Sequence, residues 1–313
     1  MTGLVVRRLL ALPVVLLLAS VLIFLLPRIS GVDTERAVLR SRFAEAEPDP
    51  ATLAAVRAEF GLDASPVEQF LRWLAHLATG DMGISFATRT PVAGLVFPAL
   101  GVSVVLTALA LAVAAAVGIP AGVHAANRPG GWLDRVVAGA SVLGVAVPEF
   151  VLGTVLVLVF AVALPLLPAT GWGGAAQAVL PVLTLAAFPA ALAAQLTRAE
   201  TLDALGRPHV AVARSKGLAE RRVLWRHGGR LALTSVTSMS GMFFGGLLGG
   251  SVVVEVVFAV PGLGRLLYDA VVGQDLPVVQ SGLMVVVTVA ALATIAAEVV
   301  ALAMDPVGRS VAT

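Results

Sequence analysis

The stretch VVAGASVLGVAVPEFVLGTVLVLVFAVALPLLPATGWGGAAQAVLPVLTLAAFPAALAAQLT, Val136 to Thr197, contains a single charged residue, Glu149. A helix crossing the hydrocarbon core of a bilayer needs roughly 20 apolar residues, so this run is too long for one span. Its segment LPLLPATGWGG, Leu164 to Gly174, divides it with prolines and glycines. Outward from it lie four more such runs: Leu9 to Leu26, Thr90 to Asn127, Leu231 to Gly264 interrupted only by Glu255, and Leu276 to Met304 interrupted only by Glu298. Six spans are expected, near 5–27, 99–126, 135–163, 176–198, 232–257 and 279–303. The fold class is therefore an all-α integral membrane protein.

Composition agrees. Of 313 residues 58% are hydrophobic and 13% charged, where a soluble domain carries about 45–50% and about 25%. Mean hydropathy is +0.97. The absence of cysteine excludes iron–sulfur, haem-thiolate and Cys-zinc chemistry along with disulfides. The basic pI of 9.9 is a topology signal. Arg7, Arg8, Arg128, Arg135, eight residues from Arg198 to Arg230, and Arg309 place thirteen basic against five acidic residues on one side. Short cytoplasmic loops collect Lys and Arg, so that side and both termini are expected in the cytoplasm. Residues 1–27 read as an uncleaved first helix rather than a signal peptide, because no A-x-A site follows the apolar run.

Residues 28–98 form an expected external insert with its own helices. Asp49-Pro50 starts one, and Ser65-Pro66-Val67-Glu68 is a capping box ahead of Phe70, Leu71, Leu74 and Leu77 at helical spacing. Such an insert caps the bundle or docks an external partner. Residues 99–304 make a five-helix core that includes a cytoplasmic loop at 199–231, and 305–313 a cytoplasmic tail.

Catalytic signatures are missing. A Walker A loop ends in lysine followed by Ser or Thr, but the only lysine, Lys216, precedes Gly217. ATP, if used, is hydrolysed elsewhere. His76, His124, His209 and His227 are scattered without ligand spacing, so no metal site is expected. The chain reads as a non-enzyme that binds no cofactor. Charges at membrane depth cost at least about 2.5–3.5 kcal/mol and usually face a cavity or a partner. Glu149, near the middle of the third span and just after Pro148, and Glu255 are the candidate pathway residues; a buried hydrogen bond is the competing role. Gly241, Gly245 and Gly249 give overlapping G-x-x-x-G pairs, a helix-packing signal.

The segment HVAVARSKGLAERRVLWRHGGR reads as two short helices about a glycine. His209 to Lys216 suits the first, Gly217 a left-handed turn, and Ala219 to His227 the second, with a basic face. Such an element lies on anionic lipid or inserts into a groove on a cytosolic partner; the residues alone leave both open.

AVARSKGLAERRVLWRH resembles the coupling motif, the EAA loop, of binding-protein-dependent ABC import permeases. GLDASPVEQFLRWL, GDMGISF, TPV, VPEF, LPATG, VLPVLTLA, VVVEVVFAVPGLGRLLYDAVVGQDLPVVQ and a final Asp305-Pro306 continue the likeness in order over essentially the whole chain. The chain is thereby identified as similar to the first permease of the peptide and nickel importers. The resemblance implies the type I permease architecture, a second related permease, two cytosolic ATPases holding ATP and Mg²⁺, and an external binding protein. It makes His209, Ala213, Arg214, Lys216, Gly217, Leu218, Arg222 and His227 the ATPase-coupling loop. Pro261, Gly262 and Gly264 become the external gate turn. Ala211, Pro208-His209, Ser235 and Val307 depart from the usual pattern. DMGISFATRTPV, LPATGWGG and GRPHVAVAR look closer to nickel permeases, so nickel or a metal chelate is the first expectation and di- or oligopeptides the second. A stand-alone secondary transporter using Glu149 is the remote alternative, disfavoured by the lack of an evident inverted repeat.

Overall fold

The computed structural model describes residues 2–29 and 63–304, and the structured regions are helical. The expected Asp49-Pro50 helix, the 305–313 tail and Val307 lie outside the described residues. The helices are α1 (Thr2–Ile29), α2 (Pro66–Ala78), α3 (Val92–Asn127), α4 (Trp132–Ala146), α5 (Glu149–Val157), α6 (Ala175–Leu205), α7 (Pro208–Ser215), α8 (Glu220–Val223), α9 (Arg230–Gly250), α10 (Val252–Val257), α11 (Leu263–Val272) and α12 (Leu276–Met304). Single π-helical turns, Leu158–Ala163 and Leu224–Gly229, extend α5 and precede α9.

Among the described residues four helices are long and apolar enough to cross a membrane: α1 from Leu10, α3, α6 and α12. The segment expected as one span over 135–163 is different. It is two helices, α4 and α5 with its π turn, bent by 105°. Pro148 explains the break: the residue before a proline is pushed out of the α region, and Val147 is extended at φ −83° and ψ 120°. Counted as one broken span, the pair makes five. The segment expected over 232–257 is also interrupted, with α9 ending at Gly250 and α10 starting at Val252.

The chain divides into two compact units. In the larger, which contains residues 104–260 and the part of α12 from Ala290, α6 is the hub, packed on α4, α5, α9, α10 and the Leu224–Gly229 turn. Close approach is bought with glycine. A Cβ at Gly118 would lie 2.7 Å from Ala190 O, one at Gly122 2.4 Å from Ala194 O, and one at Gly144 2.9 Å from the Ala191 Cβ. The same holds between α9 and α12, where a Cβ on Gly241 would meet Ala297 Cβ at 2.3 Å and one on Gly245 would meet Ala290 Cβ at 2.8 Å. Gly249 is exposed.

A salt bridge links α4 to α6. Arg198 donates from Nε and Nη2 to both oxygens of Asp134, the Nη2 bond being 2.8 Å, and Gly130 N–H adds a third bond to Asp134 at 2.9 Å. Asp134 is 6% exposed, a burial that a carboxylate tolerates only when paired and hydrogen-bonded.

The smaller unit holds residues 6–103 and 261–289, as far as they are described. Ser65 caps α2, its hydroxyl accepting from Glu68 N at 3.3 Å, and Pro66 occupies the first turn. The apolar face of α2 meets the end of α1: the Phe24 ring lies 5.2 Å from Phe70 and 6.0 Å from Trp73. Val92, Val96, Leu263, Leu267 and Val278 form the core of this unit. Beside it, Asp275, 4% exposed, accepts from Ser85 Oγ at 2.5 Å, Phe86 N at 3.1 Å and Ala87 N at 3.3 Å.

Candidate functional site

The segment between α6 and α9 is built by a left-handed turn. α7 starts with Pro208 in its first turn and ends at Ser215. Gly217 then adopts φ +74°, a region costing other L-residues about 1–2 kcal/mol. Gly217 N donates to Arg214 O at 2.9 Å and Leu218 N to Ala213 O at 3.4 Å, the paired bonds that close a helix around a C-terminal glycine. Leu218 folds back onto Val210, Ala213 and Val223, a small core of its own.

Charge is arranged on the outside of this core. Arg214 grips Glu220 across the turn, Nε to Oε2 at 3.2 Å and Nη2 to Oε1 at 2.6 Å. The Arg214 guanidinium holds the Glu220 carboxyl below the usual carboxylate range, and Glu220 in turn raises Arg214. His209, Lys216, Gly217 and Arg222 are exposed, whereas Ala213 is buried in the loop core. A Cβ at Gly217 would meet nothing within 4 Å. The tip is thus rigid in backbone and open around its surface. The side chain of His227 lies outside the described residues; its backbone belongs to the Leu224–Gly229 turn. The second helix expected from Ala219 to His227 is correspondingly short: α8 covers Glu220–Val223 before the π turn takes over. That turn is locked onto its unit. A Cβ at Gly228 would touch Thr201 at 3.0 Å, one at Gly229 would touch Val123 at 3.1 Å, and Trp225 stands edge-on to His124 at 5.7 Å.

The other candidate residues are not gathered into one place. Glu149 opens α5, just past the bend at Val147-Pro148 within the broken α4–α5 pair, and is partly exposed. Glu255 is fully buried and accepts from Ser251 Oγ at 2.7 Å. That bond fits the competing structural role. In the turn expected as the external gate, Ala259 has φ +52°, Pro261 is exposed, and Gly262 and Gly264 are buried. Gly262 caps α11, whose Leu263 N–H is held by Ser103 Oγ at 2.7 Å. Among the described residues no group of three or more His, Asp or Glu lies together as a metal site would require.

Sequence reading passed over Asp134–Arg198 and Ser85–Asp275, separated by 64 and 190 positions. It also passed over Gly118 and Gly122, although GIPAG carries the same G-x-x-x-G spacing that was noticed in α9.

Four helices of membrane length among the described residues, with one exposed basic helix–turn–helix, describe a multi-pass membrane protein. Comparison with known proteins makes this specific. Residues 118–306 match the family described as binding-protein-dependent transport system inner membrane component, and residues 1–113 match its N-terminal companion family. The chain belongs to this permease family, as the motifs had implied, and is the permease component of a binding-protein-dependent ABC importer. It is 37% identical over 309 residues to the glutathione transport system permease protein GsiC of Escherichia coli, covering 99% of both chains. It is 39% identical over 288 residues to a putative peptide transport system permease protein of Brucella abortus, covering 90% of both. Membership sets aside the stand-alone secondary transporter and places the protein in the inner membrane as a multi-pass component.

Proposed function

We propose that this chain is one of two related permease subunits of an importer for short peptides, driven by two ATPase subunits and supplied by an external binding protein. The observation that carries the coupling role is the exposed Gly217 tip, held by a Schellman-type closure and standing on a helical turn packed against the ends of α3 and α6. A rigid projection is what transmits closure of an ATPase pair to membrane helices. His209, Lys216 and Gly217 face the ATPase; Ala213 and Leu218 hold the loop in shape, Arg214 fixes it through Glu220, and Arg222 stands beyond the tip at the base of the loop. ATP and Mg²⁺ reside on the partners, and this chain holds no cofactor. Six crossings, with α9 and α10 completing the fifth, put both termini and the Gly217 loop in the cytoplasm, in line with the arginine distribution.

The relatives named for glutathione and for peptides support peptides over nickel as the cargo. The nickel expectation rested on DMGISFATRTPV, LPATGWGG and GRPHVAVAR and has no support in these relatives. The reading is tested by reconstituting the whole complex in liposomes with its binding protein and ATP. ATP-dependent uptake of glutathione or a di- or tripeptide, abolished by Gly217→Pro, is the expected result. Uptake of Ni²⁺ or a nickel chelate with no peptide uptake would overturn the cargo. Normal peptide uptake by the variant would overturn the coupling role.

A further inference from the structure

Beyond the coupling tip, we infer a binding site for the phosphate of an anionic phospholipid at the base of the loop, formed by Arg221, Arg222 and Trp225. The first observation is a charge balance. Arg198, Arg207 and Arg214 are spent on Asp134, Asp203 and Glu220. Arg221, Arg222 and Arg226 are exposed, and none has a carboxylate within ion-pair distance among the described residues. Three cationic groups within six consecutive residues repel one another unless an anion joins them. The second observation is shape: Ala219, Arg221, Arg222 and Trp225 line one open recess, and Trp225 is 37% exposed.

Depth follows from where the long helices end. The π turn carrying Trp225 packs against Val123 and His124, in the last turn of α3, and against Thr201 and Leu205, in the last turn of α6. It leads directly into α9 at Arg230. The ends of three long helices therefore coincide at this turn, which puts Trp225 at the level where hydrocarbon gives way to headgroups. Tryptophan concentrates at that boundary, and arginine meets lipid phosphate there with paired N–H donors. A cytosolic acidic surface offers the same charge but not the same depth. The Gly217 tip, farther along the loop, remains for the ATPase, so the two surfaces serve different ligands.

The test is native mass spectrometry of the complete complex, extracted in mild detergent with phosphatidylglycerol added, and with phosphatidylcholine as the neutral comparison. Wild type retains one phosphatidylglycerol more than the Arg221→Gln variant, with retention about fivefold weaker for the single arginine lost; Arg221→Lys keeps most of it. ATPase subunits copurify with both variants. Equal phosphatidylglycerol retention in wild type and Arg221→Gln would overturn the site. So would equal retention of phosphatidylcholine, which shows no charge selection. Displacement of the lipid by 20 mM inorganic phosphate, a concentration set by the experiment, would mark a free-anion site and overturn the lipid. Loss of the ATPase subunits with lipid retained would assign this face to the ATPase. None of these outcomes depends on whether the cargo is a peptide.

Discussion

The segment from Asp81 to Pro91 and the segment from Arg207 to Gly229 are both short, polar and placed between long helices, yet they spend their polar groups in opposite ways. In the first, polarity turns inward: Ser85, Phe86 and Ala87 converge on buried Asp275, Ser281 Oγ donates to Met82 O at 3.1 Å, and Asp81 accepts from Gly83 N at 2.9 Å. In the second, polarity turns outward. Its buried residues are uncharged, Val210, Ala213, Val223 and Leu224 with Gly228 and Gly229, and the described charges stand on the surface. A segment whose donors and acceptors are consumed internally holds a fold together. One that leaves them open is free to meet something else.

That contrast predicts different failures. The largest effect is expected from Gly217→Pro, because proline cannot reach φ +74°. Uptake by reconstituted complex should be lost while the melting temperature of the purified chain in detergent hardly moves. Gly217→Ala, which meets no neighbour within 4 Å, costs only the backbone strain of about 1–2 kcal/mol and keeps partial uptake. A variant that unfolds the protein instead would make the loop a structural element and break the comparison.

Next comes Asp275→Ala. Leaving the Phe86 and Ala87 amides without their acceptor costs about 1–3 kcal/mol for each donor that water does not reach. Thermal melting should fall by several degrees, and uptake should fall only in proportion to the folded fraction. Unchanged melting with lost uptake would place Asp275 among the working residues. Arg198→Gln sharpens the picture within the larger unit: it strands the buried Asp134 carboxylate, so α4 should loosen from α6, seen as faster proteolysis between Arg128 and Trp132. Equal proteolysis rates would mean the pair is dispensable.

The smallest effect belongs to Glu220. Its carboxyl is held below the usual range chiefly by the hydrogen bonds from Arg214. A depressed acid contributes stability above its unfolded value and loses it as the pH falls through the folded one. The Arg214–Glu220 clamp is therefore complete at neutral pH and opens only in acid. Glu220→Gln should abolish this acid-dependent loosening, read as hydrogen exchange at Leu218 N. Because the pair is exposed, salt should weaken the difference further.

Much of this was legible because it depends on short stretches of chain. Hydropathy over 20-odd residues located α1, α3, α6 and α12. Ser65-Pro66-Val67-Glu68 announced the start of α2, and Gly217 announced a turn that only glycine adopts without strain. Pro148 was visible as well, inside a run expected as one span over 135–163; its consequence, a 105° bend that makes Glu149 the first residue of a new helix, depends on where α6 lets α5 pack. The glycines of α9 were read by spacing, yet only Gly241 and Gly245 meet a partner while Gly249 faces outward.

By itself, then, the sequence determined what the chain is dissolved in and where its backbone must turn, because transfer from water to lipid and the φ allowed to glycine or proline are properties of neighbouring residues. Tertiary structure alone decided which charges are neutralised and which remain open. Asp134 finds Arg198 and Ser85 finds Asp275 only after the helices between them have packed, and Arg221 and Arg222 are left over because no acid arrives beside them.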